Sequence, residues 1–107
     1  MKGPIKTLDP QQARKMMLTT PDYLLFDIRT RAEFNEMHLP GAMCVPAAGL
    51  AGAVARQGAD RSTPILIYCR VGLRSRAAAE ELTRLGYTQV YDIGGIVDWP
   101  YEVAGNL

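Results

Sequence analysis

The sequence predicts an α/β domain whose open sheet is covered by helices on both faces. Two uninterrupted apolar runs carry that prediction: Tyr23 to Ile28 reads YLLFDI, broken by one acid, and Ile65 to Tyr68 reads ILIY. A strand with one wet face alternates apolar and polar residues, so unbroken runs indicate burial on both faces, as in a parallel sheet. Helical stretches separate the runs, and alternation of strand and helix implies right-handed crossovers.

The elements follow in order. Asp9-Pro10-Gln11-Gln12 starts a helix: Asp9 caps, Pro10 suits the first helical position, and Gln12 closes a capping box. The helix should run to about Leu18 and stop before Thr19-Thr20-Pro21. After the first apolar run, Thr30-Arg31-Ala32-Glu33 is a second capping box, opening a short helix that must end before Pro40-Gly41. Ala42 to Val45 reads as a strand. Ala47 to Gln57 is rich in Ala and Leu and reads as helical, weakened by Gly49 and Gly52. After the ILIY strand, Ser75 to Leu85 forms the strongest helix, with Gly86 as its stop. Val90 to Ile93 makes a last short strand before Gly94-Gly95.

Composition narrows the function. The chain has 107 residues, 48% hydrophobic and 21% charged, enough to bury a core as one domain. Twelve Lys and Arg balance eleven Asp and Glu and are spread along the chain, which argues against a nucleic-acid footprint or a polybasic membrane patch. The longest apolar runs fall far short of the roughly 20 residues a spanning helix needs. MKGPIKTLDPQQ has an early Lys without a hydrophobic stretch behind it, so no secretory signal is expected. Two cysteines and one histidine make neither a disulfide framework nor a cysteine-rich zinc site. The expectation is a soluble, cytoplasmic domain without a metal.

Chemistry concentrates in Cys69-Arg70-Val71-Gly72-Leu73-Arg74-Ser75. A buried strand ends at a cysteine, six residues turn, and a strong helix begins. In open α/β sheets, sites lie where strands finish and helix N-termini point at the ligand. The unpaired N–H groups of such a turn form an anion-binding nest, and Arg70 and Arg74 add full positive charges. All of these favour thiolate over thiol, so the Cys69 pKa should fall below the roughly 8.5 of a free cysteine. The plain alternative is a small buried hydrophobe at a strand end. A packing cysteine needs no arginines and glycine around its sulfur, so the loop favours catalysis.

The segment CRVGLRS resembles the active-site loop of the rhodanese (thiosulfate sulfurtransferase) family, whose pattern is Cys-Arg-x-Gly-x-Arg-Ser/Thr. Phe26-Asp27-Ile28-Arg29, Glu33-Phe34, His38-Leu39-Pro40-Gly41-Ala42 and Val45-Pro46 resemble the first signature of that family, except that Met37 stands where the family usually has Gly. Gly94-Gly95 with Trp99 is similar to its closing Gly-Gly and Trp. The resemblance runs from about Thr7 to about Trp99 and implies one rhodanese-like domain over residues 1–107, with a core from about 7 to 104. It implies a three-layer fold: a mostly parallel five-stranded sheet with helices on both faces.

The resemblance also implies a ping-pong sulfur transfer without a cofactor. Cys69 would take the outer sulfur of a small anionic donor such as thiosulfate, forming a persulfide, and pass it to a thiol, cyanide or protein acceptor. Arg70, Val71, Gly72, Leu73, Arg74 and Ser75 would form the substrate cradle, with loop amides stabilising the persulfide anion. Arg74 would hold the anion bidentately, Arg70 would steer it, and Gly72 would let the backbone turn its N–H toward sulfur.

Other residues admit two readings. Asp27, Arg29 and Glu33 either contact substrate or form an ion-pair network supporting the loop, and the second is favoured because buried charges persist when paired. His38 reads as structural, since a thiolate needs no general base. Cys44 either resolves a persulfide, which requires Cα atoms within roughly 7 Å of Cys69, or packs; packing is favoured. Trp99 reads as a core anchor. The rival functions are a cysteine phosphatase or arsenate reductase, a persulfide carrier, and a non-catalytic interaction module. Phosphatases place their arginine six positions after the cysteine; here Ser75 holds that place and Arg74 the fifth. The oligomeric state is not readable from the sequence.

Overall fold

Both capping boxes form, and the apolar runs between the helices pair into one sheet. The computed structural model describes residues 6–106, so part of MKGPIKTLDPQQ, where no secretory signal is expected, lies outside the described residues. The elements are β1 (Lys6–Thr7), α1 (Pro10–Thr19), β2 (Leu24–Asp27), α2 (Arg31–Glu36), β3 (Met43–Cys44), α3 (Leu50–Arg56), β4 (Ile65–Cys69), α4 (Leu73–Arg84) and β5 (Val90–Gly95). Asp9 accepts the Gln12 N–H and Thr30 the Glu33 N–H, and each third helical residue returns a bond to the cap backbone. The sheet order is β1-β5-β4-β2-β3, and every pairing between these strands is parallel.

Alternation along the strands divides the core. Phe26, Ile65, Ile67, Cys69 and Val90 face α3 and α4, meeting Leu50, Val54, Ala79 and Leu82. Leu25, Leu66, Tyr68 and Ile93 face the other way, where Ala13 of α1 and Leu39 are buried. β4 is buried along its whole length, as expected for a central parallel strand. The fold is therefore α/β with helices on both faces.

Three details differ from expectation. The 47–57 helix is split into a 3₁₀ turn, Ala47–Gly49, followed by α3, with the break at Gly49. β1 is an additional strand that its two exposed residues do not advertise. α4 begins at Leu73 instead of Ser75, because Gly72 takes the left-handed conformation (φ 97°) and turns the chain directly into the helix. The turn after Cys69 is therefore three residues, not six, and Arg74 and Ser75 belong to the first turn of α4.

Candidate active site

Cys69 ends β4, and the first turn of α4 lies over its sulfur. Helix N-termini leave N–H groups without intrahelical partners, and here those groups meet Sγ. The Gly72 N–H donates to Sγ at 2.9 Å. The Ser75 Oγ lies 3.5 Å from Sγ. Burial pushes the Cys69 thiol up; the Ser75 hydroxyl and the N–H groups of Ser75, Gly72 and Arg74 pull it down and prevail, so its pKa lies below the ordinary value. The positive end of α4 acts in the same direction.

The sulfur sits at the floor of a cleft of about 330 Å³ lined by Ile28, Arg29, Thr30 and Glu33 on one side and Cys69, Arg70, Val71, Leu73 and Arg74 on the other. Five of the seven residues of the sequence-predicted loop therefore line one cavity. Gly72 and Ser75 sit behind the sulfur as its hydrogen-bond partners. Val71 and Leu73 expose apolar side chains at the rim.

Asp27 and Arg29 form a buried ion pair at 2.8 Å, with Asp27 fully buried. Arg29 also donates to the Met37 carbonyl, tying the segment after α2 to the end of β2. The structure does not extend this pair into a three-member network. Glu33 instead accepts from the Thr30 N–H at 3.1 Å and from the Thr30 hydroxyl at 3.0 Å, at the cleft wall. These bonds to Thr30 hold the Glu33 carboxyl below its usual range, helped by the charges of Arg29 and Arg70. His38 stacks on Phe34 and bonds the Phe34 carbonyl, while its backbone pairs with Ala104. Trp99 packs against the α1-side core and donates its indole N–H to Glu102.

Cys44 occupies the register position of Asp27, which in turn pairs with Tyr68. It stands two strand spacings from β4, about 9.6 Å, beyond disulfide reach. Strand alternation also puts it on the opposite face from Cys69.

Two residues contribute to the site in ways the sequence did not show, one of them in the Gly94-Gly95 block already noted. Gly95 lies against the loop so closely that a Cβ would overlap the Arg70 carbonyl and Val71. Asp92, largely buried, accepts the Ser75 hydroxyl at 2.6 Å and the Gly94 N–H at 2.9 Å. A lone acid inside an apolar strand, VYDI, is the signal that would have found it, as it marked Asp27 in YLLFDI.

The rhodanese-like domain profile matches residues 9–101. A sulfurtransferase of Allochromatium vinosum is 33% identical over 89% of this chain and 88% of its own length. The thiosulfate sulfurtransferase GlpE of Tolumonas auensis is 35% identical over 82% of each chain. Among solved structures, the rhodanese-like domain of Anabaena Alr3790 superposes with a TM-score of 0.83 at 21% identity, covering 96% of this chain and 81% of that one, a likeness of fold. The chain belongs to the rhodanese-like domain family, and its relatives include named sulfurtransferases.

Proposed function

We propose that the protein is a sulfurtransferase that carries sulfane sulfur on Cys69, taking it from thiosulfate or a similar anionic donor. The convergence of the Gly72 N–H and the first-turn N–H groups of Arg74 and Ser75 on Cys69 Sγ carries this reading. A thiolate held there attacks the outer sulfur of thiosulfate. The S–S bond of the donor breaks, sulfite leaves with its electron pair, and a Cys69 persulfide anion remains. A nucleophile such as cyanide then takes the terminal sulfur, and the thiolate is restored. Charge is conserved in each step, so neither a proton donor nor a cofactor is needed.

Arg70 and Arg74 at the cleft wall supply the attraction for an anionic donor. The apolar rim formed by Val71 and Leu73 suits a thiol or protein acceptor as well as a small ion. The whole chain, 1–107, acts as one domain in this reading. It works in the cytoplasm, where a free catalytic thiol is kept reduced. No helix among the described residues is long and apolar enough to cross a membrane.

Intact-mass spectrometry before and after thiosulfate, followed by a cyanide chase, tests the proposal. One added sulfur, absent in Cys69→Ser and removed by cyanide, is expected. A folded native protein that gains no sulfur overturns thiosulfate as donor. Phosphatase turnover by that same protein would favour the rival chemistry instead.

A further inference from the structure

The Ser75 hydroxyl has one hydrogen and more than one acceptor. Cys69 Sγ lies at 3.5 Å, the Gly72 carbonyl at 3.2 Å, the Gly94 carbonyl at 3.5 Å and Asp92 Oδ1 at 2.6 Å. A hydroxyl bonded to a carboxylate at that distance is in the short, charge-assisted range, the strongest of the four. Asp92 is itself 7% exposed and on the Cys69 face of the sheet. Its position is fixed by an irregularity in β5. Ile67 pairs with Asp92 but Cys69 pairs with Gly95, so β5 carries one extra residue at Gly94, whose φ is +88°. The Asp92 carboxylate closes that bulge by accepting the Gly94 N–H.

We propose that Asp92 is a positioning residue of the sulfur site, competing with Cys69 Sγ for the single Ser75 hydroxyl hydrogen and so limiting how strongly Ser75 stabilises the thiolate. This rests on the reading of Cys69 as the nucleophile. While the hydrogen lies on Asp92, Ser75 turns a lone pair toward the sulfur, so the hydroxyl lowers the Cys69 pKa less than it would without Asp92 and the helix N–H groups hold the rest of the charge. The consequence for the chemistry is direct: a thiolate that is over-stabilised is a poorer nucleophile, with reactivity falling as its pKa falls. The other charged groups around the sulfur are Arg70 and Arg74 from the loop and α4, and Arg29 and Glu33 across the cleft. Against Asp92, β4 presents Ile67 and β1 presents Thr7, neither of which titrates between pH 4 and 10.

The test is a double-mutant cycle read by iodoacetamide alkylation of Cys69 against pH, with the modified residue assigned by mass spectrometry. Asp92→Asn keeps an oxygen for the Gly94 donor but, without the charge, is a weaker acceptor for the Ser75 hydroxyl, whose hydrogen is freed for the sulfur. Its midpoint should move down by about one unit, with the plateau rate about threefold lower. Ser75→Ala should raise the midpoint by less than about half a unit in the native background and by about one unit in the Asp92→Asn background. An unchanged midpoint in Asp92→Asn, or an equal Ser75→Ala effect in both backgrounds, overturns the proposal. If Asp92→Asn does not fold, Ser75→Ala alone decides: a midpoint raised by a full unit with Asp92 present shows that sulfur already holds the hydrogen, and the proposal fails. Alkylation needs no sulfur donor, so failure of sulfur loading with the predicted shifts intact would refute the transferase reading and leave the role of Asp92 standing.

Discussion

Two cysteines end parallel strands of the same sheet, and their surroundings could hardly differ more. Cys69 finishes the central strand β4 and meets the start of α4, where donors point at its sulfur. Cys44 finishes the edge strand β3, and among the described residues its thiol has only the Arg29 carbonyl at 3.9 Å, an acceptor. Burial pushes both thiols up, but at Cys44 the charges of Arg31 and Arg29 do not outweigh burial and the charge of Asp27, and its pKa lies above the ordinary value. Strand-end position alone therefore does not activate a thiol. The difference is made by a three-residue turn whose glycine, Gly72, brings unpaired helix N–H groups onto the sulfur.

The largest expected effect separates the two outright. Cys69→Ser should abolish sulfur uptake from thiosulfate, whereas Cys44→Ser should keep it within about twofold, measured as persulfide formed per chain; thiols act as nucleophiles only as thiolates. Loss of uptake in Cys44→Ser would break the comparison. Next in size is the contrast in reactivity. Near pH 7, alkylation of Cys69 should outrun that of Cys44 by more than about tenfold. The sign follows from the two directions: Cys69 reactivity falls only as pH drops through its lowered pKa, while Cys44 gains reactivity only at pH above the ordinary thiol value. Site-resolved alkylation rates from pH 5 to 10 would check both limbs.

Between the two strands lies β2, whose end carries the Asp27–Arg29 pair. Removing one partner leaves the other charge buried without compensation, so Arg29→Ala should cost about 3–5 kcal/mol in a urea titration. The matching change at the exposed Arg14–Glu102 pair should cost under about 1 kcal/mol. Near-equal losses would mean that the buried pair contributes no more than a surface one.

Much of this architecture is legible from one-dimensional pattern. Capping boxes at Asp9 and Thr30 place helix starts because they rest on interactions three residues apart, and YLLFDI and ILIY mark buried strands because both faces are apolar. The seven-residue loop is readable because glycine and arginine beside a strand-end cysteine are locally costly choices. What the sequence conceals is set by distant contacts. The two exposed residues of β1 pair with Tyr91 and Asp92, more than eighty positions away. Gly95 is required by the backbone of Arg70, and Asp92 reaches Ser75 across the strand-helix crossover, so neither follows from spacing. The start of α4 was displaced by two residues because Gly72, with φ 97°, makes the turn by itself.

That glycine gives the smallest test and the sharpest one. Gly72 holds a left-handed conformation, which costs an alanine about 1–2 kcal/mol, and its Cα faces Gly94 with room for a Cβ at 3.5 Å. Space therefore permits Gly72→Ala while backbone preference opposes it. The variant should fold with a modest loss of stability, and the strain should be relieved by rotating the turn, moving the N–H away from Cys69 Sγ. Fewer donors on the sulfur would raise its pKa, so alkylation at pH 6 should slow while the rate at pH 10 stays close to native. A stability loss without any change in the alkylation profile would mean that Gly72 serves only the turn, and that the donors of α4 suffice to distinguish Cys69 from Cys44.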